Sequence, residues 1–241
     1  MITINRPCRR WLALATALLG MAAVAGVQGA AQAPAAGAPA KPTAPIERLG
    51  ANLLRIGTIQ VDTAKKEISV SGVVNDVVVL EFVANTKGGL KAYESAFELD
   101  TNAINFNFAL ILIGLDPARS VPPKFQFDPE TPKGDPVEIW VEWTDAGKRR
   151  RERMERVVYN QDTKRTLAEG PWVYTSSVFM ADSNNYLAEV DGTLIGFMHN
   201  ASPIIESPLP LTRFGASIIN PALGLKPGTT VQVTVRALPR K

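Results

Sequence analysis

From Ile56 onward the chain alternates short runs of Val and Ile with polar punctuation, the pattern of strands rather than of long helices. Residues 56–61, 67–73 and 77–83 are predicted as three consecutive strands, with Asp62-Thr63 and Asn75-Asp76 supplying turns. Short connections between consecutive strands predict antiparallel pairing. The cleanest period of two is Val137-Glu138-Ile139-Trp140-Val141-Glu142-Trp143, which places Val137, Ile139, Val141 and Trp143 on a core face and the glutamates on the other. Residues 173–179, 186–190, 194–199 and 230–237 complete the expected strands, with Asp191-Gly192 as a hairpin turn.

Residues 101–113 break this pattern. Ile104, Phe106 and Phe108 alternate as a strand would, but the run is long and apolar, and helix is the reading adopted. Asp100 or Thr101 can cap its start, and Gly114 stands where a left-handed terminating residue belongs, with Pro117 beyond. Six prolines between residues 116 and 136 then punctuate a long connection, either a packed loop or a lid over a site. The expected fold class is α+β, mostly antiparallel β with one buried helix near residues 101–113, in a single domain over residues 46–241.

The N-terminal pattern concerns targeting. Arg6, Arg9 and Arg10 precede an uncharged stretch of 17 residues from Trp11 to Val27, followed by Gly29-Ala30-Ala31-Gln32-Ala33. That is the basic, apolar, small-residue order of a signal peptide, expected over residues 1–31, with release to the periplasm or the outside of a bacterium and no membrane anchor left behind. Arg9-Arg10 leaves the Sec and twin-arginine routes open. Residues 32–45 carry four prolines and almost no bulky apolar side chain, the composition of a flexible linker.

Cleavage changes the charge picture, because the leader carries three of the 26 basic residues and none of the 23 acidic ones. The mature chain is neutral, which removes the argument for nucleic-acid or anionic-membrane binding that the pI of 9.0 invites. Cys8 departs with the leader, so neither disulfide nor thiolate chemistry is expected. His199 is the single histidine, too few for a usual zinc ligand set, and no metal or cofactor is expected.

Candidate chemistry is therefore sparse. The densest polar cluster is Lys87-Gly88-Gly89-Leu90-Lys91-Ala92-Tyr93-Glu94-Ser95, where a cation, a phenol and a carboxylate follow two glycines. It reads either as hairpin punctuation with a surface Lys91/Glu94 pair or as a pocket wall built from Lys91, Tyr93, Glu94 and Ser95. His199 and Ser177 are the remaining acid-base and nucleophile candidates, though no Gly-x-Ser-x-Gly elbow surrounds any serine. Trp140 shares its side of the strand with Glu138 and Glu142, which makes it the candidate for stacking a ligand. Residues 148–156 are dense in Arg and read as a solvated face with Met154, Val157 and Val158 turned inward.

Several stretches together resemble the YdjY-like domain family, exported or membrane-associated bacterial proteins without an established activity. They are Gly72-Val73-Val74-Asn75, the Lys87 to Ser95 cluster, Asn105-Phe106-Asn107-Phe108-Ala109-Leu110-Ile111-Leu112-Ile113-Gly114-Leu115, Val141-Glu142-Trp143, Pro171-Trp172-Val173-Tyr174-Thr175-Ser176-Ser177 and Gly228-Thr229-Thr230-Val231. Where such domains often show His before Glu-Ser, this chain has Tyr93, and where they often show Gly before the last Ser it has Ser176. Some relatives are joined to ferredoxin-like iron-sulfur segments, which implies a redox setting, but no cysteine remains here to hold a cluster. The resemblance implies the fold and the compartment. The expected function is a non-catalytic binding or interaction module of the cell envelope, with another envelope protein or a small molecule as partner. The alternative is a hydrolase-like enzyme around Glu94, Tyr93, Lys91 and His199.

Overall fold

The computed structural model describes residues 41–240, so the leader and most of the linker lie outside the described residues. Four strands open the chain as a meander: β1 (Ile46–Arg48), β2 (Leu53–Ile56), β3 (Ile59–Asp62) and β4 (Glu67–Val74). Then come β5 (Phe82–Thr86), β6 (Ser95–Leu99), helix α1 (Ala103–Leu112), β7 (Asp135–Asp145) and β8 (Lys148–Arg153). The rest comprises β9 (Val158–Asn160), β10 (Arg165–Thr166), β11 (Trp172–Tyr174), α2 (Leu187–Asp191), β12 (Thr193–Gly196), β13 (Ile205–Glu206), β14 (Ser217–Ile219) and β15 (Thr230–Ala237).

Eight of these strands close on themselves in the order β4-β15-β7-β11-β13-β12-β5-β6, with β6 pairing back onto β4. Closure removes sheet edges from the barrel itself. Both β4 and β7 are shared strands. Residues 67–69 of β4 pair with β3 and residues 72–74 with β6, while β7 pairs with β11 at residues 135–137 and with β8 from residue 140 on. The meander and β8 are thus arms of the barrel, and β10-β9-β14 form a small separate sheet.

The alternation predicted for β7 holds: Val137, Ile139, Val141 and Trp143 are buried, and they face a core that includes Ile68, Val70, Val231, Val233 and Val235. Each such side chain stabilises the fold by about 1.5–3 kcal/mol relative to exposure. Helix α1 adds Phe106, Ala109 and Leu110 to the same core. Its N-cap is Asn102, whose side chain accepts from the Asn105 amide, and Glu189 of α2 accepts from Ala103 and Ile104. At its other end Gly114 takes φ +100°, its amide donates to the Ile111 carbonyl and that of Leu115 to the Leu110 carbonyl, a Schellman termination.

The expected fold class needs correction: the chain is mostly β, a closed mixed barrel rather than an α+β fold, although most of its strand pairs are antiparallel. Two of its eight neighbour pairs, β5–β6 and β12–β13, are parallel. The antiparallel expectation came from loop length, since parallel neighbours ordinarily need a long crossover. Here residues 87–94 and residues 197–204 suffice. After β4 the barrel neighbour is β6, not the next strand in sequence. Residues 187–191 form the short helix α2, and Gly192 ends it at φ +70° instead of turning a hairpin. Residues 175–179 leave the sheet through two successive left-handed residues, Ser176 and Ser177.

Order also extends before Ile46. The Thr43 amide and hydroxyl and the Ala44 amide all bond to Asn105 Oδ1, at 2.8, 3.1 and 3.2 Å. No helix among the described residues is long and apolar enough to cross a membrane.

Candidate functional site

The barrel end at which β5 and β6 begin, and β12 and β13 finish, gathers Lys91, Tyr93, Glu94 and Ser95 of the sequence-predicted polar cluster. Residues 87–94 are the crossover between the parallel strands β5 and β6, and this role explains the two glycines. Gly88 sits at φ +67°, and a Cβ on Gly89 would come within 2.9 Å of the Gly192 carbonyl. Gly89 thus lets two backbones touch, with no ligand required.

A 3₁₀ turn over residues 92–94 then brings Lys91 Nζ to 2.8 Å from Glu94 Oε1. The same ammonium lies 5.7 Å from the Tyr93 ring centroid and 5.9 Å from that of Phe82. Burial alone would depress the Lys91 pKa, but Glu94 and Tyr93 outweigh it and hold it above its ordinary value. Ser95 is buried, and its hydroxyl donates to the Lys91 carbonyl at 2.7 Å.

Two residues that sequence reasoning missed complete this cluster. Glu81 is buried, its amide donates to the Glu94 carbonyl, and its carboxylate accepts from the Gln126 side chain at 2.9 Å. Its pKa is raised, first by burial and then by the charge of Glu94, against the opposing pull of Lys91 and Gln126. Lys91 pairs with Glu94 alone, and Glu81, whose backbone is bonded to that of Glu94, adds a second carboxyl beside the pair. Gln126 belongs to the proline-rich connection, which arches over this end.

Around the cluster stand Val78, Tyr93, Phe125 and Phe214, exposed to 84, 66, 57 and 58 %. Their loops are tied to one another. The Leu80 amide donates to the Ser217 carbonyl, Gln126 holds Glu81, and the Phe127 and Phe214 rings meet edge to face at 5.9 Å.

The other predicted residues do not join them. His199 lies on the second crossover, residues 197–204, at φ +50° and almost fully buried. Its Nδ1 is 2.7 Å from the Asp128 carbonyl and its Nε2 3.0 Å from the Leu209 carbonyl. A doubly protonated ring donates to both, a neutral ring to one, and neither nitrogen is open to a substrate. Ser177 is buried, accepts from the Ala188 amide at 3.1 Å and reaches the Ala201 carbonyl. Trp140 lies on the outer face of β7, with the guanidiniums of Arg151 and Arg153 4.5 and 5.2 Å from its ring. The ring is thus already engaged by cations. Among the described residues no three His, Cys, Asp or Glu side chains gather as a metal site.

Strand β13, into which the second crossover leads, hides a residue with no sequence signal at all. Glu206 is wholly buried, and its Oε1 accepts from the Asn200 amide at 3.1 Å. Burial pushes its pKa up to about 8, against the lowering effect of the amides of Asn200, Ser207 and His199.

The family model of the YdjY domain matches residues 59–236, which spans the whole barrel from β3 nearly to the end of β15. The chain belongs to the YdjY domain family. No curated protein and no solved structure matches it. Within this YdjY domain the family-like cluster of residues 87–95 is a crossover whose glycines serve packing. What it offers to the outside is Tyr93, with the Lys91–Glu94 pair partly sheltered beside it.

Proposed function

We propose that the chain is an exported, non-catalytic interaction module of the bacterial cell envelope, acting in the periplasm or outside the cell. It docks a partner protein through the barrel end that carries Glu81, Lys91, Tyr93 and Glu94. The observation that carries the reading is the set of apolar side chains Val78, Tyr93, Phe125 and Phe214, left exposed on interlocked loops around a carboxyl pair. Exposed apolar side chains around a polar centre mark interaction sites. With two carboxyls for one ammonium, the partner presents a basic side chain flanked by apolar ones. The leader pattern of residues 1–31 supports the compartment. The separation of His199 and Ser177 from Glu94 weighs against the hydrolase-like alternative.

The test uses two labelled nine-residue peptides, one with Arg flanked by leucines and one with Glu in its place. The Arg peptide binds at least about tenfold more tightly, and Glu94→Lys reverses the ranking. Equal binding of both peptides, or none, would overturn the reading. Intact mass of the exported protein tests the compartment: loss of residues 1–31 is expected, and a retained leader refutes it.

A further inference from the structure

The outer face of β4, β15, β7 and β8 lies away from the loop end and is polar at nearly every outward position. Cross-strand register aligns it in rows: Glu67, Arg236 and Glu138; Ser69, Thr234, Trp140 and Arg153; Ser71, Gln232, Glu142 and Arg151. The first row is an ion-pair chain in which Arg236 bridges Glu67 and Glu138. Arg153 continues it from Glu138 to the buried Glu155. That end of the face is internally satisfied.

The third row opens into a groove of about 670 Å³ whose lining includes Ser71, Glu142, Thr144, Arg149, Thr230 and Gln232. Arg149 and Arg151 both pair with Glu142, so two guanidiniums share one carboxylate and leave a net positive end. The middle is neutral hydroxyl and amide. Ser71 and Thr230 also line an adjoining hollow of about 280 Å³, where Glu98 and Asp100 outnumber Lys87. The groove thus runs from a cationic end, across groups that both donate and accept, to an acidic end.

We propose that this groove binds a short acidic oligosaccharide, its anionic group on Arg149 and Arg151 and its hydroxyls on Gln232, Thr230 and Ser71. Sugar hydroxyls both donate and accept, as do the hydroxyls and amide on the groove floor. Guanidinium forks match a carboxylate or phosphate. The acidic hollow rejects an anion and fixes which way round the ligand lies. A peptide finds no open strand edge along the floor, because β15 and β7 are paired on both sides there and the Ser71 carbonyl of β4 already accepts from the Asp100 amide. A nucleic-acid base finds no free ring, since Arg151 and Arg153 cover Trp140.

The test is a titration of the ¹⁵N-labelled exported chain with trigalacturonic acid, maltotriose, inorganic phosphate and a short single-stranded oligonucleotide. Trigalacturonic acid shifts the amides of Ser71, Thr230 and Gln232, and Gln232→Ala or Arg149→Ala weakens it at least about tenfold while leaving the remaining spectrum intact. Maltotriose binding equally well would remove the acid from the recognition and overturn the proposal. Phosphate alone producing the same shifts would reduce the site to an anion contact, and tighter binding of the oligonucleotide would reassign it. Absence of any shift at about 10 mM trigalacturonic acid also refutes it.

Discussion

Two links of similar length make this barrel mixed, and they solve the same problem in opposite ways. Residues 87–94 connect β5 to β6 with Lys87, Leu90 and Tyr93 exposed and their backbone pressed against Gly192. Residues 197–204 connect β12 to β13 on the inside, where nearly every residue is buried. The first link can spend its side chains on a partner because packing asks only for two glycines. The second has no such freedom: His199 holds the carbonyls of two other loops, and Glu206 fills the space a Cβ on Gly196 would claim. A reactive-looking side chain is therefore best judged by what its own backbone leaves unsatisfied.

The largest break in this contrast comes from the buried link. His199→Ala removes the ring held between the Asp128 and Leu209 carbonyls, with at least one donor, and opens a cavity, and it destabilises the fold by about 3–5 kcal/mol in chemical denaturation. Next comes Glu206, whose folded pKa of about 8 lies above its ordinary value of 4.5. A carboxyl group raised in this way contributes stability that is complete below pH 4.5 and is lost as pH rises through 8. Denaturation midpoints measured from pH 5 to 9 should fall by an amount on the order of 2–4 kcal/mol, and Glu206→Gln should flatten the curve. A flat wild-type profile would show that Glu206 ionises without consequence.

Smaller effects belong to the exposed link. Gly89→Ala puts a Cβ 2.8 Å from Thr86 Oγ1 and 2.9 Å from the Gly192 carbonyl. It should lower stability by about 1–3 kcal/mol, read as a shift in thermal midpoint. Glu94→Gln removes only a partly solvated pair with Lys91, and the expected loss is below about 1 kcal/mol. Should Glu94→Gln prove as damaging as His199→Ala, the division between a free link and a locked one would collapse.

The legibility of these regions follows the range of the forces that form them. Strands β4, β7 and β15 declare themselves through a period of two, because each has one buried and one solvated face. Helix α1 declares itself through its apolar run and Gly114, while its cap is Asn102 rather than the expected Asp100 or Thr101. Closure of the barrel does not, since the pairing of β4 with β6 and of β12 with β5 joins distant residues and leaves no local mark. The Lys91, Tyr93 and Glu94 group was visible as a cluster because those residues are adjacent in sequence. Glu81 and Gln126 were not, because 45 positions separate them. The exposure of Phe125 and Phe214 leaves no local mark either, because it depends on where the loops bearing them lie.

The anchoring of Thr43 on Asn105 gives the molecule a direction of display. Asn105 opens helix α1 just beyond the end of β6, whereas Tyr93 and Glu94 sit just ahead of its start. Thr43 is therefore held at one pole of the barrel, and Tyr93 is exposed at the other. A surface, bead or carrier grafted ahead of residue 41 would hold the domain by its base and leave that far pole unobstructed.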